Sequence, residues 1–322
     1  MDLGDIRALV QDDLRHMDSL ITDRLNSDVA LINRIGHHII HSGGKRLRPL
    51  VVLLMARACE GGGRDAQLLA AIVELVHTAT LLHDDVVDES LMRRGQETAN
   101  EIWGNEASVL VGDFLYTRSF QMMVELDRMS VMRVFAETTN TIASGEVLQL
   151  LYTHDATVSE ASYQDVIYRK TAALFEGGCR LAAEGAGQGE TVCDAAADYG
   201  RHLGTAFQLA DDALDYDGDA EAIGKNVGDD LAEGKPTLPL IRAYAMATTE
   251  QRAVLEQAMT DGADADIQRT AEVIANTDAI AYTRALANRE ADAASAALDV
   301  LASSENRGAL AWLASFAVSR TH

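Results

Sequence analysis

Two short acidic clusters stand out in the chain, Asp84-Asp85-Val86-Val87-Asp88 and Asp211-Asp212-Ala213-Leu214-Asp215. Each has the form D-D-x-x-D, and each directly follows an apolar stretch with helical spacing. On a helix, positions i and i+4 lie on one face and i+1 is turned about 100° away. Asp84 with Asp88, and Asp211 with Asp215, are therefore placed to grip one side of an ion, while Asp85 and Asp212 are angled toward a bound water or a second ion. Left alone, like charges at this spacing oppose the helix by about 0.2–0.5 kcal/mol per pair. A hard divalent cation removes that repulsion, and Mg2+ is commonly held by one or two carboxylates together with waters and substrate phosphates. Two such clusters suggest a diphosphate held between them through metal ions. A solvated acidic face is the plain alternative in a chain with 30 Asp. Its recurrence behind two apolar helices, in company with separate basic elements, weighs against it.

Those basic elements are few and pointed. Of 27 basic residues only four are lysine: Lys45, Lys170, Lys225 and Lys235. A lysine kept against such a bias toward arginine suits a place that needs a compact charge rather than a planar fork. Lys45 shares a Gly-rich loop with Arg46 and Arg48, Arg93 and Arg94 follow the first acids, Lys170 precedes Thr171, and Lys225 and Lys235 follow the second acids. Glycines let a backbone approach an anion closely, and Lys and Arg supply charge to phosphate. His77 lies two turns before Asp84 on the same face, where it reads either as a ligand-facing group or as a satisfied core histidine.

The elements that must carry these groups read as helix after helix. The 322 residues hold three prolines, at 49, 236 and 239, so two long stretches are free of helix breakers. Helices are expected over 6–25, from a cap at Ser27 or Asp28 through 40, from the 43–49 loop to Gly61-Gly62-Gly63, and over 66–88, 107–126, 131–151, 160–185 and 191–216. A polar loop is expected over 217–236 and Ala-rich helix beyond it. Aromatics are only 5%, and no series of short alternating runs suggests a sandwich or barrel. The fold class is therefore all-α, in one domain spanning 1–322. An apolar content of 48% supports a sizeable core, and a net charge of −23 with a pI near 4.6 argues against nucleic acid and anionic membrane as partners. No apolar run approaches the ~20 residues of a membrane span, no leader pattern opens the chain, and three scattered cysteines fit neither a disulfide framework nor a zinc site. A reduced, cytoplasmic protein is expected.

Taken together, the stretches GGKRLRP (43–49), HTATLLHDDVVDESLMRRGQETAN (77–100), GEVLQL (145–150), YRKTAALF (168–175), GTAFQLADDALDY (204–216) and GKNVGDDLAEGKPTLPL (224–240) resemble the trans-isoprenyl diphosphate synthases, or polyprenyl synthetases, most of all their bacterial long-chain, octaprenyl-forming branch. The resemblance implies a single large helical bundle of the isoprenoid synthase type with a central apolar cavity. It implies an enzyme, a Mg2+-dependent prenyltransferase that adds isopentenyl diphosphate head-to-tail onto an allylic diphosphate such as farnesyl diphosphate and supplies a quinone side chain. Lys45, Arg48, His77 and Arg94 match positions that hold isopentenyl diphosphate. Asp84, Asp85 and Asp88 match the first magnesium motif, and Asp211, Asp212 and Asp215 the second, with two to three ions per site. Arg93, Lys170, Thr171, Gln208, Lys225 and Lys235 match contacts to the allylic diphosphate or its metals. A homodimer is implied as well.

Product length then depends on depth. Ala79 and Thr80 lie about one turn before Asp84 and are small, so a tunnel beneath the acids should continue, and Met123, with Phe120 and Met132 behind it, is a candidate floor. The two-residue spacer in the first acidic motif separates the chain from bacterial farnesyl diphosphate synthases, whose spacer is four. A shorter-chain synthase and a non-catalytic subunit of a heteromeric synthase are the alternatives within the family. A terpene cyclase or head-to-head condensing enzyme would lack the set Lys45, Arg48, His77 and Arg94. A metal phosphohydrolase reading of His83-Asp84 lacks further spaced histidines.

Overall fold

The computed structural model describes residues 2–41, 44–93, 95–216, 228–262 and 266–320. Among the described residues the regular structure is helical apart from one two-stranded hairpin. In chain order the helices are α1 (Leu3–Ala8), α2 (Gln11–Leu25), α3 (Ala30–His41), α4 (Leu47–Ala58), α5 (Arg64–Val87), α6 (Ala99–Trp103), α7 (Asn105–Glu125), α8 (Met129–Tyr152), α9 (Glu160–Ile167), α10 (Ala173–Gly185), α11 (Glu190–Tyr216), α12 (Asp229–Ala232), α13 (Leu238–Met246), α14 (Thr249–Asp261), α15 (Ile267–Ala275), α16 (Ala279–Ala297) and α17 (Glu305–Ser319). The antiparallel strands β1 (Met92–Arg93) and β2 (Gln96–Glu97) pair Met92 with Glu97 and Arg93 with Gln96. A π turn, Tyr168–Ala172, joins α9 to α10. The all-α fold class expected from the sequence is what the chain adopts. Four local details differ: the stretch expected as one helix over 6–25 breaks at Leu9 and Val10, the 160–185 stretch contains the π turn, 92–97 forms a hairpin, and the expected loop 217–236, of which 217–227 lie outside the described residues, contains the short helix Asp229–Ala232.

The chain separates into two compact units. The first comprises Met1–Thr139, Gly177–Ala197 and Val300–Leu310. Its central helix is α5, which starts after Gly63 in a positive-φ conformation (φ 75) that a β-carbon would strain. By length and composition α5 could cross a membrane, but 72% of its most apolar window is buried inside the protein, so it is the core helix of this unit. Leu68, Ile72, Leu75, Val76, Ala79 and Leu82 are all fully buried. Against it α7 approaches so closely that a β-carbon on Gly112 would stand 2.4 Å from the His83 ring.

One buried carboxylate ties α2, α4 and α5 together. Asp13, 3% exposed, accepts from Arg57 Nε at 2.9 Å and Nη2 at 2.7 Å and from Gln67 Nε2 at 2.8 Å. Asp13→Ala leaves two polar groups without their acceptor and should cost about 2 kcal/mol, read as a lowered urea midpoint at unchanged slope.

The second unit comprises Asn140–Glu176, Asp198–Asp299 and Ala311–His322. Two apolar clusters hold it. One gathers α11, α12, α13, α14 and α15 around Leu231, Leu240, Leu255, Met259 and Ile274, and the other packs Tyr163, Ile167, Leu209, Leu238 and Ile241.

Candidate active site

In the first unit the acids sit where a helix least favours them. Asp84 and Asp85 belong to the last turn of α5, Asp88 is its C-cap, and no basic residue lies in that turn. Carboxylates at a helix C-terminus meet the negative end of its dipole, an arrangement that asks for a cation. Asp85 is 1% exposed while Asp84 and Asp88 are half-buried, so Asp85 lies off their shared face as its spacing implies, but it turns into the protein and onto Arg93. Arg93, on β1, places Nε and Nη2 on the same oxygen of Asp85, each at 2.6 Å. Burial pushes the Asp85 carboxyl above its ordinary pKa, and Arg93 opposes that shift.

The hairpin that carries Arg93 is pinned by Thr98, whose hydroxyl donates to Ser90 O at 2.7 Å, and by His38, whose Nε2 donates to Glu97 O at 2.9 Å. On α4 and α5, Arg48 Nη1 donates to His77 Nε2 at 3.0 Å. Lys45 is exposed just before α4. Arg46 instead forms an ion pair with Glu74 at 2.8 Å, so it secures the start of α4 rather than extending the cationic set. Ala79 and Met123 are fully buried, and Thr80, Phe120 and Met132 are half-buried, the Thr80 hydroxyl donating to His77 O at 2.8 Å. Arg94 lies outside the described residues.

In the second unit a cavity of about 130 Å³ is lined by Lys170, Thr171, Gln208, Asp212, Asp230 and Lys235 among others. Asp211, Asp212 and Asp215 occupy the end of α11, again without a basic residue in the last turn. Asp212, 1% exposed, accepts from Gln208 Nε2 at 2.9 Å and from the Tyr163 hydroxyl, and Gln208 in turn accepts from Thr171 Oγ1 at 3.0 Å. Burial first, then Asp211 and Asp215, hold the Asp212 carboxyl well above the usual carboxylate range, against those two hydrogen bonds. Asp230 is raised as well, by burial and by Asp215 and Asp212. Asp215 accepts from the backbone amides of Asp229 (3.2 Å) and Asp230 (3.3 Å), which joins the end of α11 to α12. Lys170 Nζ reaches Glu146 at 2.6 Å and Gln149 at 2.8 Å, and Lys235 Nζ reaches Glu233 at 2.6 Å. Arg320, near the chain's end, pairs with Asp211 at 2.7 Å and lies 3.8 Å over the Phe207 ring. Lys225 lies outside the described residues.

The donor chemistry fits a hard divalent cation. Each unit offers a half-buried i,i+4 carboxylate pair at a helix C-terminus, beside a buried carboxylate that accepts hydrogen bonds. Among the described residues no three His, Cys, Asp or Glu side chains converge on one point, so an ion there would complete its shell with oxygens other than side-chain carboxylates.

Residues 29–276 match the family described as polyprenyl synthetase. The chain belongs to the polyprenyl synthetase family. It is 49% identical, over 99% of both chains, to octaprenyl diphosphate synthase of Escherichia coli (strain K12). It is 44% identical, over 98% of this chain and 97% of the other, to the geranyl-diphosphate-specific all-trans-nonaprenyl-diphosphate synthase of Rhodobacter capsulatus. Among solved structures, polyprenyl synthase from Caulobacter crescentus CB15, crystallised with calcium and isoprenyl diphosphate, superposes with a TM-score of 0.95 at 45% identity, covering 100% of this chain and 98% of that one.

Six further residues contact candidate ones: Glu146, Gln149, Asp230 and Glu233, which lie inside the motif stretches, and Tyr163 and Arg320, which lie outside them. Glu146 and Gln149 lie inside the GEVLQL stretch, and their i,i+3 spacing puts the two polar groups on one side of the helix. Tyr163 and Arg320 carry no local signal, because only the tertiary fold brings them to Asp212 and Asp211.

Proposed function

We propose that the chain is a long-chain all-trans polyprenyl diphosphate synthase of the octaprenyl class, extending an allylic diphosphate such as farnesyl diphosphate with isopentenyl diphosphate to supply a quinone side chain. The observation that carries this reading is the placement of both acid clusters at helix C-termini with cationic side chains close to each. The relatives named above support the substrate class and the product range.

In this reading the chain acts as a single polyprenyl synthase domain. Asp84, Asp88, Asp211 and Asp215, with Asp85 and Asp212 behind them, would hold two to three Mg2+ ions. Magnesium, when bound, supplies positive charge that stabilises the departing diphosphate. Lys45, Arg48, His77 and Arg94 bind isopentenyl diphosphate. The Arg48–His77 contact orients both groups before the anion arrives. Lys170, Thr171, Gln208, Lys225 and Lys235 serve the allylic diphosphate, where the two ammonium groups of Lys170 and Lys235 offset charge on the leaving oxygens. Asp85 works through Arg93, fixing its guanidinium toward the same anion. Buried aliphatic side chains on α5 keep water from the electron-deficient carbon. The proton lost after carbon–carbon bond formation goes to the released diphosphate.

Exposed apolar side chains on α7 and just beyond it, Leu110 at 66%, Val124 at 65% and Met129 at 73%, support a homodimer, and three buried free cysteines suit a reducing, cytoplasmic setting. Incubation with Mg2+, farnesyl diphosphate and labelled isopentenyl diphosphate, followed by sizing of the hydrolysed products, tests the reading. A ladder ending at the octaprenyl alcohol is expected, termination one unit later would favour the nonaprenyl relative's product, and no elongation would overturn the assignment.

A further inference from the structure

Lys170 and Thr171 both lie on the π turn Tyr168–Ala172. A π turn inserts one residue into the helical repeat, so side chains beyond it are rotated by about 100° from where an uninterrupted helix would aim them. Such turns are rare, and something must hold this one. Two glycines press on it from different helices. A β-carbon on Gly145 of α8 would stand 2.6 Å from Arg169 Cβ and 3.0 Å from the Lys170 nitrogen. One on Gly204 of α11 would stand 2.6 Å from Ala172 Cα and 3.1 Å from both Ala172 Cβ and Phe175 Cδ2. Neither glycine has a positive φ, so neither is needed for backbone conformation. What their missing side chains provide is proximity.

One turn beyond each glycine, on the same face, stands a glutamine. Gln149, four residues after Gly145, accepts from Lys170 Nζ at 2.8 Å, and Gln208, four residues after Gly204, accepts from Thr171 Oγ1 at 3.0 Å. The pattern Gly-x-x-x-Gln thus occurs at both 145–149 and 204–208. In each copy the glycine brings the helix against the π turn and the glutamine fixes one of its two functional side chains.

We propose that Gly145 and Gly204 are positioning residues that clamp the π turn between α8 and α11 and so set where the Lys170 ammonium and the Thr171 hydroxyl are held. For catalysis the inference rests on the allylic role proposed above for Lys170 and Thr171, whereas the clamp itself is a structural statement and can be tested separately.

The experiment compares the full chain with G145A, G204A, R169G and the double variant G145A/R169G. Backbone hydrogen exchange is followed over 168–175, together with kcat and the KM values for farnesyl and isopentenyl diphosphate. G145A should speed exchange in the π turn and lower kcat by about 10²-fold, the size expected when a charged group shifts by about an ångström. The KM for isopentenyl diphosphate should stay within twofold, a split that general unfolding would not produce. R169G removes the Cβ that the methyl group introduced by G145A would strike hardest, at 2.6 Å, and leaves the milder approach to the Lys170 nitrogen at 3.0 Å, so the double variant should recover part of the lost kcat relative to G145A, with R169G alone as the control for the lost Arg169–Asp165 ion pair. G204A meets the Ala172 backbone and has no such relief, so its loss should persist. Unchanged exchange in both glycine variants overturns the clamp. Altered exchange with unchanged kcat overturns its role in positioning. If the unaltered chain fails to elongate, the proposed function falls, while the exchange result still decides the clamp.

Discussion

Asp84→Ala is expected to lower turnover by about a thousandfold or more, on the scale of losing charge stabilisation at a transition state. Asp84 sits in the last turn of α5 with Asp85 beside it and Asp88 four residues on, at the negative end of the helix dipole. Carboxylates at i,i+4 repel by about 0.2–0.5 kcal/mol and each conflicts with the dipole by about 0.3–1 kcal/mol. A cluster of this kind is useful only with a cation bound, so its loss should show first in the dependence of rate on Mg2+. Asp211→Ala should match it in turnover and should also lower stability, because Arg320, 8% exposed, would lose the carboxylate at 2.7 Å and remain as a nearly buried charge. Rates measured across a Mg2+ titration, with melts in the presence of chelator, separate these cases. Unchanged turnover in either variant would remove that cluster from the reaction.

The parts of the structure that could be read from sequence are those set by local period and composition. The near absence of proline and the apolar 3.6-residue repeat were enough to place α5, α7, α8 and α11 within about two residues of where they lie. The same repeat set Asp85 off the face shared by Asp84 and Asp88, and Asp212 off that of Asp211 and Asp215, but it did not show that both would be buried against Arg93, Tyr163 and Gln208. What was not legible depends on contacts between segments remote in sequence. The π turn has no marker in Tyr168-Arg169-Lys170-Thr171-Ala172; it follows from two glycines that lie more than twenty residues away on either side. The break at Leu9 and Val10 contains neither glycine nor proline, and nothing local announces it. Tyr163 and Arg320 reach their carboxylates only through the packing of the second unit. Arg46 belongs by composition to the cationic loop, yet it is drawn off by Glu74, a buried carboxylate whose need for a partner outweighs the attraction of an open site.

Ala79→Tyr should shift the products from the octaprenyl class to chains no longer than the farnesyl or geranylgeranyl class, while the first condensation survives. Ala79 is 0% exposed and lies five residues, roughly 7–8 Å along α5, from Asp84. If the space beside it is ordinary packed core, a tyrosine there overfills it, costs about 1–3 kcal/mol, and buries a hydroxyl that needs a partner. If that space is the path of a growing prenyl tail, the ring enters room the empty enzyme already keeps, and stability changes little while elongation stops early. The two readouts thus move in opposite senses. A small change in melting temperature with short products supports a tail path beneath the first acids, and a large fall in melting temperature with full-length products rejects it. Met123→Ala, at a fully buried position on α7, extends the same reasoning toward the far end. Truncating a tunnel floor should lengthen the products, whereas truncating a core side chain should only destabilise, by about 2–5 kcal/mol. A lengthened product from Met123→Ala together with a shortened one from Ala79→Tyr would order the two residues along one path, which neither substitution could establish alone.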